Sequence, residues 1–325
     1  MFELRGSLSP APGRPRDAEA EYEPAETILL LEAALRELGH EPVRLGGPRA
    51  LLACAGAGER ARLGVDAVLN IAEGEGSRNR EAWAPVLLEM LGVPALGSDA
   101  LTLSLSLDKL WAKEIVAAAG VPTVPHASAE SGAEAEAAGA ALGFPLFVKP
   151  RWEGTAKGIR RSSRVAAPGA LVAEVERVVA SYRQPALVET FLPGPEYTVC
   201  VVGTPPRALP VLQRALERES GIGVHALAGE DGAALPHHAP GELTPALEGE
   251  LAAHALAAFR ALRCLDFARV DFKLDGAGHP AFLEINPLPT FAGDGSFAIL
   301  AELLGVPYAT FLAGVIREGL RRLGL

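Results

Sequence analysis

Residues 268–286 read ARVDFKLDGAGHPAFLEIN, two alternating stretches joined by an Asp-Gly turn, which predicts a β-hairpin. Successive strand side chains point to opposite faces, so Arg269, Asp271 and Lys273 share one face, and Glu284 and Asn286 share one face of the partner strand. Asp271, Glu284 and Asn286 are hard oxygen donors of the kind Mg2+ takes together with substrate phosphates. The same residues also suit a solvated strand face with a surface ion pair. Pro287 and Pro289 follow directly and favour a site at the strand end.

Three further segments carry possible chemistry. Lys149 closes the apolar run FPLFVKP, where an ammonium group either reaches an anion such as phosphate or snorkels to water. In the following EGTAKG, Gly154 and Gly158 flank Thr155, so backbone N–H groups and a hydroxyl can face phosphate oxygens; an ordinary turn explains the same residues. Glu189 and Glu196 lie on successive strands around Pro193-Gly194-Pro195, with Phe191 and Leu192 between them. That segment suits adenine through backbone groups and Phe191, and ribose through a carboxylate, or else carries exposed hairpin carboxylates.

The elements that must position these residues follow from periodicity. Helical spacing of apolar residues predicts a helix over 26–38, with Gly39 as a left-handed stop. DAVLNIA at 66–72 predicts a strand, EGEGSRN a polar loop and 81–91 a helix, the pattern of an open α/β sheet with ligands at the carboxyl ends of strands. A helix from 107 or 108 to 119, a strand over 144–149, a helix over 168–181, and the strands ALVETFL and EYTVCVV follow, suggesting a mixed or antiparallel sheet. Residues 204–244 lack regular periodicity and read as a mobile excursion or lid, and a helix over 245–262 leads into the hairpin. Residues 1–24 read as a loop around at most one short strand, with no chemistry assigned to them.

Composition bounds the partners. The 325 residues carry a formal charge of -10, with a pI near 5.3, so no basic face is available to track a nucleic-acid backbone. Cys54, Cys200 and Cys264 are few and without CxxC spacing, which argues against a disulfide framework or a zinc site and for the reducing cytoplasm. No apolar run approaches the about 18 residues of a membrane span, and the first residues lack a secretory pattern. A soluble enzyme of small substrates is expected, with no membrane partner.

In chain order, LDK at 107–109, FVKPRWEGTAKG, LVETFLPGPEYTV, ARVDFKLD and FLEINPLP resemble the ATP-grasp part of D-alanine–D-alanine ligases, over roughly residues 66–325. The resemblance implies an α/β (α+β ATP-grasp) fold: an N-terminal open α/β lobe at 1–100, a central lobe at 101–186 and a C-terminal lobe at 187–325, the last two with mixed or antiparallel sheets. It implies an ADP-forming carboxylate-amine ligase that joins small amino acids through an acyl phosphate, using ATP and Mg2+, with Mn2+ an alternative ion, and acting as a homodimer. Lys109 and Lys149 look like the two nucleotide-phosphate lysines, and Thr155 with the backbone at Gly154 like the phosphate-loop position. Glu189 and Leu192 look like adenine contacts, Glu196 the ribose contact, Asp271, Glu284 and Asn286 the metal ligands, and Arg269 the group that stabilises the tetrahedral transition state.

The chain also departs from that pattern. NIAEGEGSRNREA stands where the family has HGxxGEDG, the GEDG at 229–232 lies in the presumed lid, and the lid lacks the usual Lys-Tyr pair. Thr290 occupies the place of an oxyanion-site glycine, and Ser296 matches the substrate-carboxylate serine only if one residue is inserted. Arg78 or Arg80 is a candidate carboxylate clamp in the altered loop. These changes border the amino-acid pockets and leave open a ligase of specialised metabolism with other amino-acid or carboxylate substrates, or a nucleotide-binding protein without turnover.

Overall fold

The structure is a computed structural model, and it describes residues 1–9, 11–55, 63–231 and 243–325. Helix α1 (Ala25–Glu37) buries Ile28, Leu31 and Ala34 along one stripe, and Gly39 follows at φ +86°, the left-handed conformation that stops a helix cheaply. After α2 (Pro48–Ala55), strand β1 (Val68–Leu69), α3 (Trp83–Met90) and β2 (Ala95–Leu96) alternate, with β1 and β2 parallel. The strand predicted over 66–72 is thus only two residues long. The helix predicted over 81–91 begins with a 3-10 turn at Arg80–Ala82 before α3.

The helix predicted from 107 or 108 to 119 is α5 (Lys109–Ala118), and Asp108 separates it from α4 (Ala100–Leu107), for which the sequence reading predicts no element. Asp108 is extended, and its carboxylate caps α5 through the Trp111 N–H at 3.3 Å. The same carboxylate takes two hydrogen bonds from Arg151, at 2.7 and 2.8 Å. The break fixes Lys109 at the first turn of α5, facing inward.

Strands β3 (His126–Ala129), β4 (Leu146–Pro150), β5 (Arg164–Val165) and β6 (Ala186–Thr190) form a four-stranded sheet ordered β3-β6-β4-β5. Helices α6 (Gly132–Leu142) and α7 (Pro168–Tyr182) pack on one face of it through Leu146, Val148, Leu171 and Val175. A five-stranded sheet follows, from β7 (Glu196–Val202), β8 (Arg207–Ala208), β9 (Leu212–Arg214), β10 (Phe267–Leu274) and β11 (Pro280–Asn286). All pairings within these two sheets are antiparallel.

The excursion predicted over 204–244 contains β8, β9 and α8 (Val224–Asp231), because short strands paired to β7 leave no periodic signature; residues 232–242, including Gly232 of the GEDG, lie outside the described residues. Helices α9 (Pro245–Ala261), α10 (Ser296–Leu303) and α11 (Tyr308–Leu323) complete the fold. Alternation then sorts the five-stranded sheet. Tyr197, Val199, Val270 and Phe272 pack with α9 on one side. Glu196, Thr198, Arg269, Asp271 and Lys273 fall on the other, which faces the four-stranded sheet. Among the described residues no single helix is long and apolar enough to cross a membrane.

Candidate active site

Between the two sheets lies a cavity of about 330 Å³. Lys109, Lys149, Thr155, Glu189, Phe191, Leu192, Glu196, Arg269, Asp271, Glu284, Thr290 and Ser296 line it, Gly154 and Asn286 line an adjoining recess of about 30 Å³, and Gly158, Arg78 and Arg80 line neither. The floor is the β10–β11 hairpin. Asp271 pairs directly with Glu284 and Arg269 with Asn286, and a bulge just beyond leaves Leu283 unpaired and turned to the cavity. Arg269 Nη2 lies 2.9 Å from Asp271 Oδ2 and 3.7 Å from Glu284 Oε1. The Thr198 hydroxyl donates to Asp271 Oδ1 at 2.7 Å, and the Asn286 amide to Glu284 Oε1 at 3.4 Å.

Burial alone raises the Glu284 pKa, but Lys109, Lys149 and Arg269 overcome it and hold the carboxyl well below its usual range. Among the described residues no three His, Cys, Asp or Glu side chains assemble as a ready-made metal cage. The donor set is instead two cross-strand carboxylates and an amide, which suits Mg2+ because that ion keeps waters and substrate phosphate oxygens in its shell.

The lysines are tied down by one carboxylate. Lys149, at the end of β4, sits 3.0 Å from Glu189 Oε2, and Lys113 on α5 sits 2.7 Å from Glu189 Oε1. Lys113 also donates to the Phe282 carbonyl at 2.9 Å. Burial opposes ionisation of Glu189, yet the two lysines bring its pKa down to about 2. Glu189 is therefore the counter-ion of two ammonium groups, and only its backbone and outer edge remain for a base. Lys109 lies 3.4 Å from Glu284 Oε2 and donates to the Glu153 carbonyl. Lys113 was missed from the sequence, although its four-residue spacing from Lys109 on one helix puts the two on the same face.

The glycine loop holds an unforeseen partner. Thr155 and Ala156 are left-handed at φ 47° and 58°, a pair of strained residues of the kind found in anion-binding loops. At Gly158 a Cβ would meet Pro150 Cγ at 2.6 Å and Tyr182 at 2.8 Å, so only glycine fits. The Gly154 N–H donates to Glu21 Oε1 at 2.6 Å, and the Gly158 N–H to Asp17 Oδ2 at 2.9 Å. Lys157 Nζ is 2.9 Å from Glu21 Oε2.

Residues 1–24, given no chemistry above, thus supply two carboxylates to the loop, and the Gly154 N–H faces Glu21. No local pattern announces contacts 133 and 141 residues apart. Arg80 is not a free clamp either: it is buried, 2.6 Å from Glu21 Oε1, and donates to the Trp152 carbonyl at 2.7 Å. Arg78 lies over the Trp111 ring at 4.6 Å.

At the opposite end, Phe191 packs beneath Arg164 at 4.4 Å and Lys273 at 5.4 Å. Lys273 donates to the Gly221 carbonyl at 2.5 Å, and Arg164 to those of Glu219 and Ser220 at 3.1 and 3.0 Å. These bonds close the 217–223 segment over the cavity. Glu196 lies 3.6 Å from His225 Nε2, and burial raises its pKa. Leu192 is buried, and Ser296 is buried at the first turn of α10. The Thr290 hydroxyl accepts from the Ala292 N–H at 3.1 Å, so that residue braces its own turn.

Comparison with known proteins places this geometry. The family described as D-ala D-ala ligase C-terminus matches residues 115–317. An uncharacterized protein of Sinorhizobium fredii, y4sG, is 33% identical over 299 residues, 89% of this chain and 86% of that protein. A D-alanine–D-alanine ligase of Marinobacter nauticus is 32% identical, covering 75% of this chain and 73% of its own. In fold, the chain is similar to the solved D-alanine–D-alanine ligase of Bacillus anthracis complexed with ATP, with a TM-score of 0.67 at 24% identity, covering 91% of this chain and 92% of that one. Family match, relatives and fold agree, and the chain belongs to the D-alanine–D-alanine ligase family of ATP-grasp ligases.

Proposed function

We propose that the protein is an ADP-forming ligase that joins two small amino acids, with ATP lying in the cavity between the two sheets. The observation that carries this reading is the convergence of Lys109, Lys149, Arg269, Asp271 and Glu284 on one enclosed space. The phosphates would meet Lys109 and Lys149, the adenine the backbone near Glu189 and the side chains of Phe191 and Leu192, and the ribose Glu196. Asp271, Glu284 and Asn286 would hold Mg2+, or Mn2+, which when bound shields the negative charge of the transferring phosphoryl group.

In the reaction, one substrate carboxylate oxygen bonds to the terminal phosphorus as the bond to ADP breaks, giving an acyl phosphate. The amine of the second substrate then attacks the acyl carbon, phosphate departs and the amine loses a proton. Arg269, beside Asp271, presents a permanent cation where the carbonyl oxygen becomes negative. Ser296 and the Thr155 hydroxyl would orient the substrate carboxylate and the phosphoryl oxygens. No side-chain nucleophile is needed.

The second reading, a ligase whose pair is not two D-alanines, is favoured by the recess beside the metal residues, lined by Glu21, Glu73, Glu81 and Thr290. Product analysis across D- and L-amino acids tests both. ADP and phosphate should form in equal amounts and only with an acceptable pair present. AMP and pyrophosphate in step with product would overturn the mechanism, and a clear preference for D-alanine alone would remove the second reading.

A further inference from the structure

We propose that Arg214 contacts the phosphate chain of the bound nucleotide, an assignment that rests on the ATP-binding half of the reading above. Arg214 ends β9 directly opposite Glu196 of β7, while Leu212 stands opposite Thr198, whose other neighbour is Asp271 on β10. Arg214 is therefore on the same face as the proposed metal residues, two strands away, or about 10 Å between backbones. A guanidinium spans much of that distance.

Its guanidinium is enclosed and one of its donors is left unmet. Arg214 is only 9% exposed and lines the cavity. Its Nη1 is buried without a hydrogen-bond partner, and no ion pair to a described residue is formed. Of the carboxylates near it, Asp271 is held by Arg269 and Thr198, and Glu196, which lies 3.6 Å from His225 Nε2, makes no ion pair with Arg214. Burial, and then the neighbouring charge of Arg269, push the Arg214 pKa down. An enclosed, permanently charged fork with an unpaired buried nitrogen is costly to maintain unless an anion completes it. Phosphate oxygens match that fork in charge and geometry. Between residues 204 and 244 the chain has no lysine, and Arg207 and Arg218 are exposed, so among the described residues of this stretch Arg214 is the arginine that lines the cavity.

Calorimetric binding of Mg-ATP, Mg-ADP and adenosine to the full chain tests this with Arg214→Met and Arg214→Lys. The methionine variant should bind ATP at least about tenfold more weakly, the scale of one lost charge-assisted contact, with adenosine binding within twofold of the parent. The lysine variant should recover part of the loss. ATP affinity within twofold of the parent in Arg214→Met, or equal losses for ATP and adenosine, would overturn the assignment, the latter marking a purely structural arginine. Binding does not depend on turnover. A protein that binds ATP through Arg214 but forms no amide would sink the ligase reading and leave this one standing.

Discussion

Glu284→Gln should lower ligase turnover by at least about a hundredfold, the scale on which a single preorganised group acts on charge developing in a transition state. The side chain keeps its shape, so the hairpin register opposite Asp271 is retained. What disappears is the negative charge that faces Lys109 at 3.4 Å and Arg269 at 3.7 Å. A neutral amide binds Mg2+ far less well than a carboxylate, and the cations around it then repel the ion. Steady-state kinetics over a Mg2+ titration read both effects, as lower kcat and a higher Mg2+ requirement. Activity within twofold of the parent with an unchanged requirement would mean that this strand face is a solvated ion-pair surface.

Lys113→Met should cost about 3 kcal/mol of stability, the lower end of the range for removing one member of a buried ion pair. Lys113 has no exposure to solvent, and it satisfies both Glu189 at 2.7 Å and the Phe282 carbonyl at 2.9 Å. Methionine fills the space but leaves the carbonyl unpaired and Glu189 with Lys149 alone. Glu189→Gln should cost more, because two buried ammonium groups then share a neutral amide. Urea unfolding with an unchanged slope measures the difference. A loss below about 1 kcal/mol for Lys113→Met, the scale of an exposed pair, would show that this three-charge cluster is not formed in solution.

Legibility of the site follows the range of the contacts. The hairpin was readable because a two-residue period fixes which side chains share a face, and the Asp-Gly turn at 275–276 anchors the pairing of Asp271 with Glu284. The bulge at Leu283 left no trace, since one extra residue in a strand does not change its composition. Lys149 is legible as a charge ending an apolar strand, whereas its partner is not: Glu189 reads as an adenine contact or an exposed hairpin carboxylate, and the structure gives its carboxylate to two lysines.

The fold shows the same limit. Helices α7 and α9 matched their predicted spans within one residue at each end because period and Pro-capped starts agree. The predicted start of α5 at 107 or 108 agrees with its Asp108 cap, a carboxylate that also takes the Arg151 fork, whereas α4 just before it has no counterpart in the sequence reading. The contacts of Glu21 and Asp17 with the glycine loop, and the placement of Arg214, depend on how distant segments meet. Nothing local encodes them.

The most direct test of the account is the fate of oxygen in the reaction. With an amino-acid substrate labelled with 18O in its carboxylate, attack on the terminal phosphorus carries one labelled oxygen into the released phosphate for each amide formed. The account predicts one 18O per phosphate, found by mass spectrometry, alongside unlabelled ADP. Unlabelled phosphate, or label appearing in AMP, would contradict it.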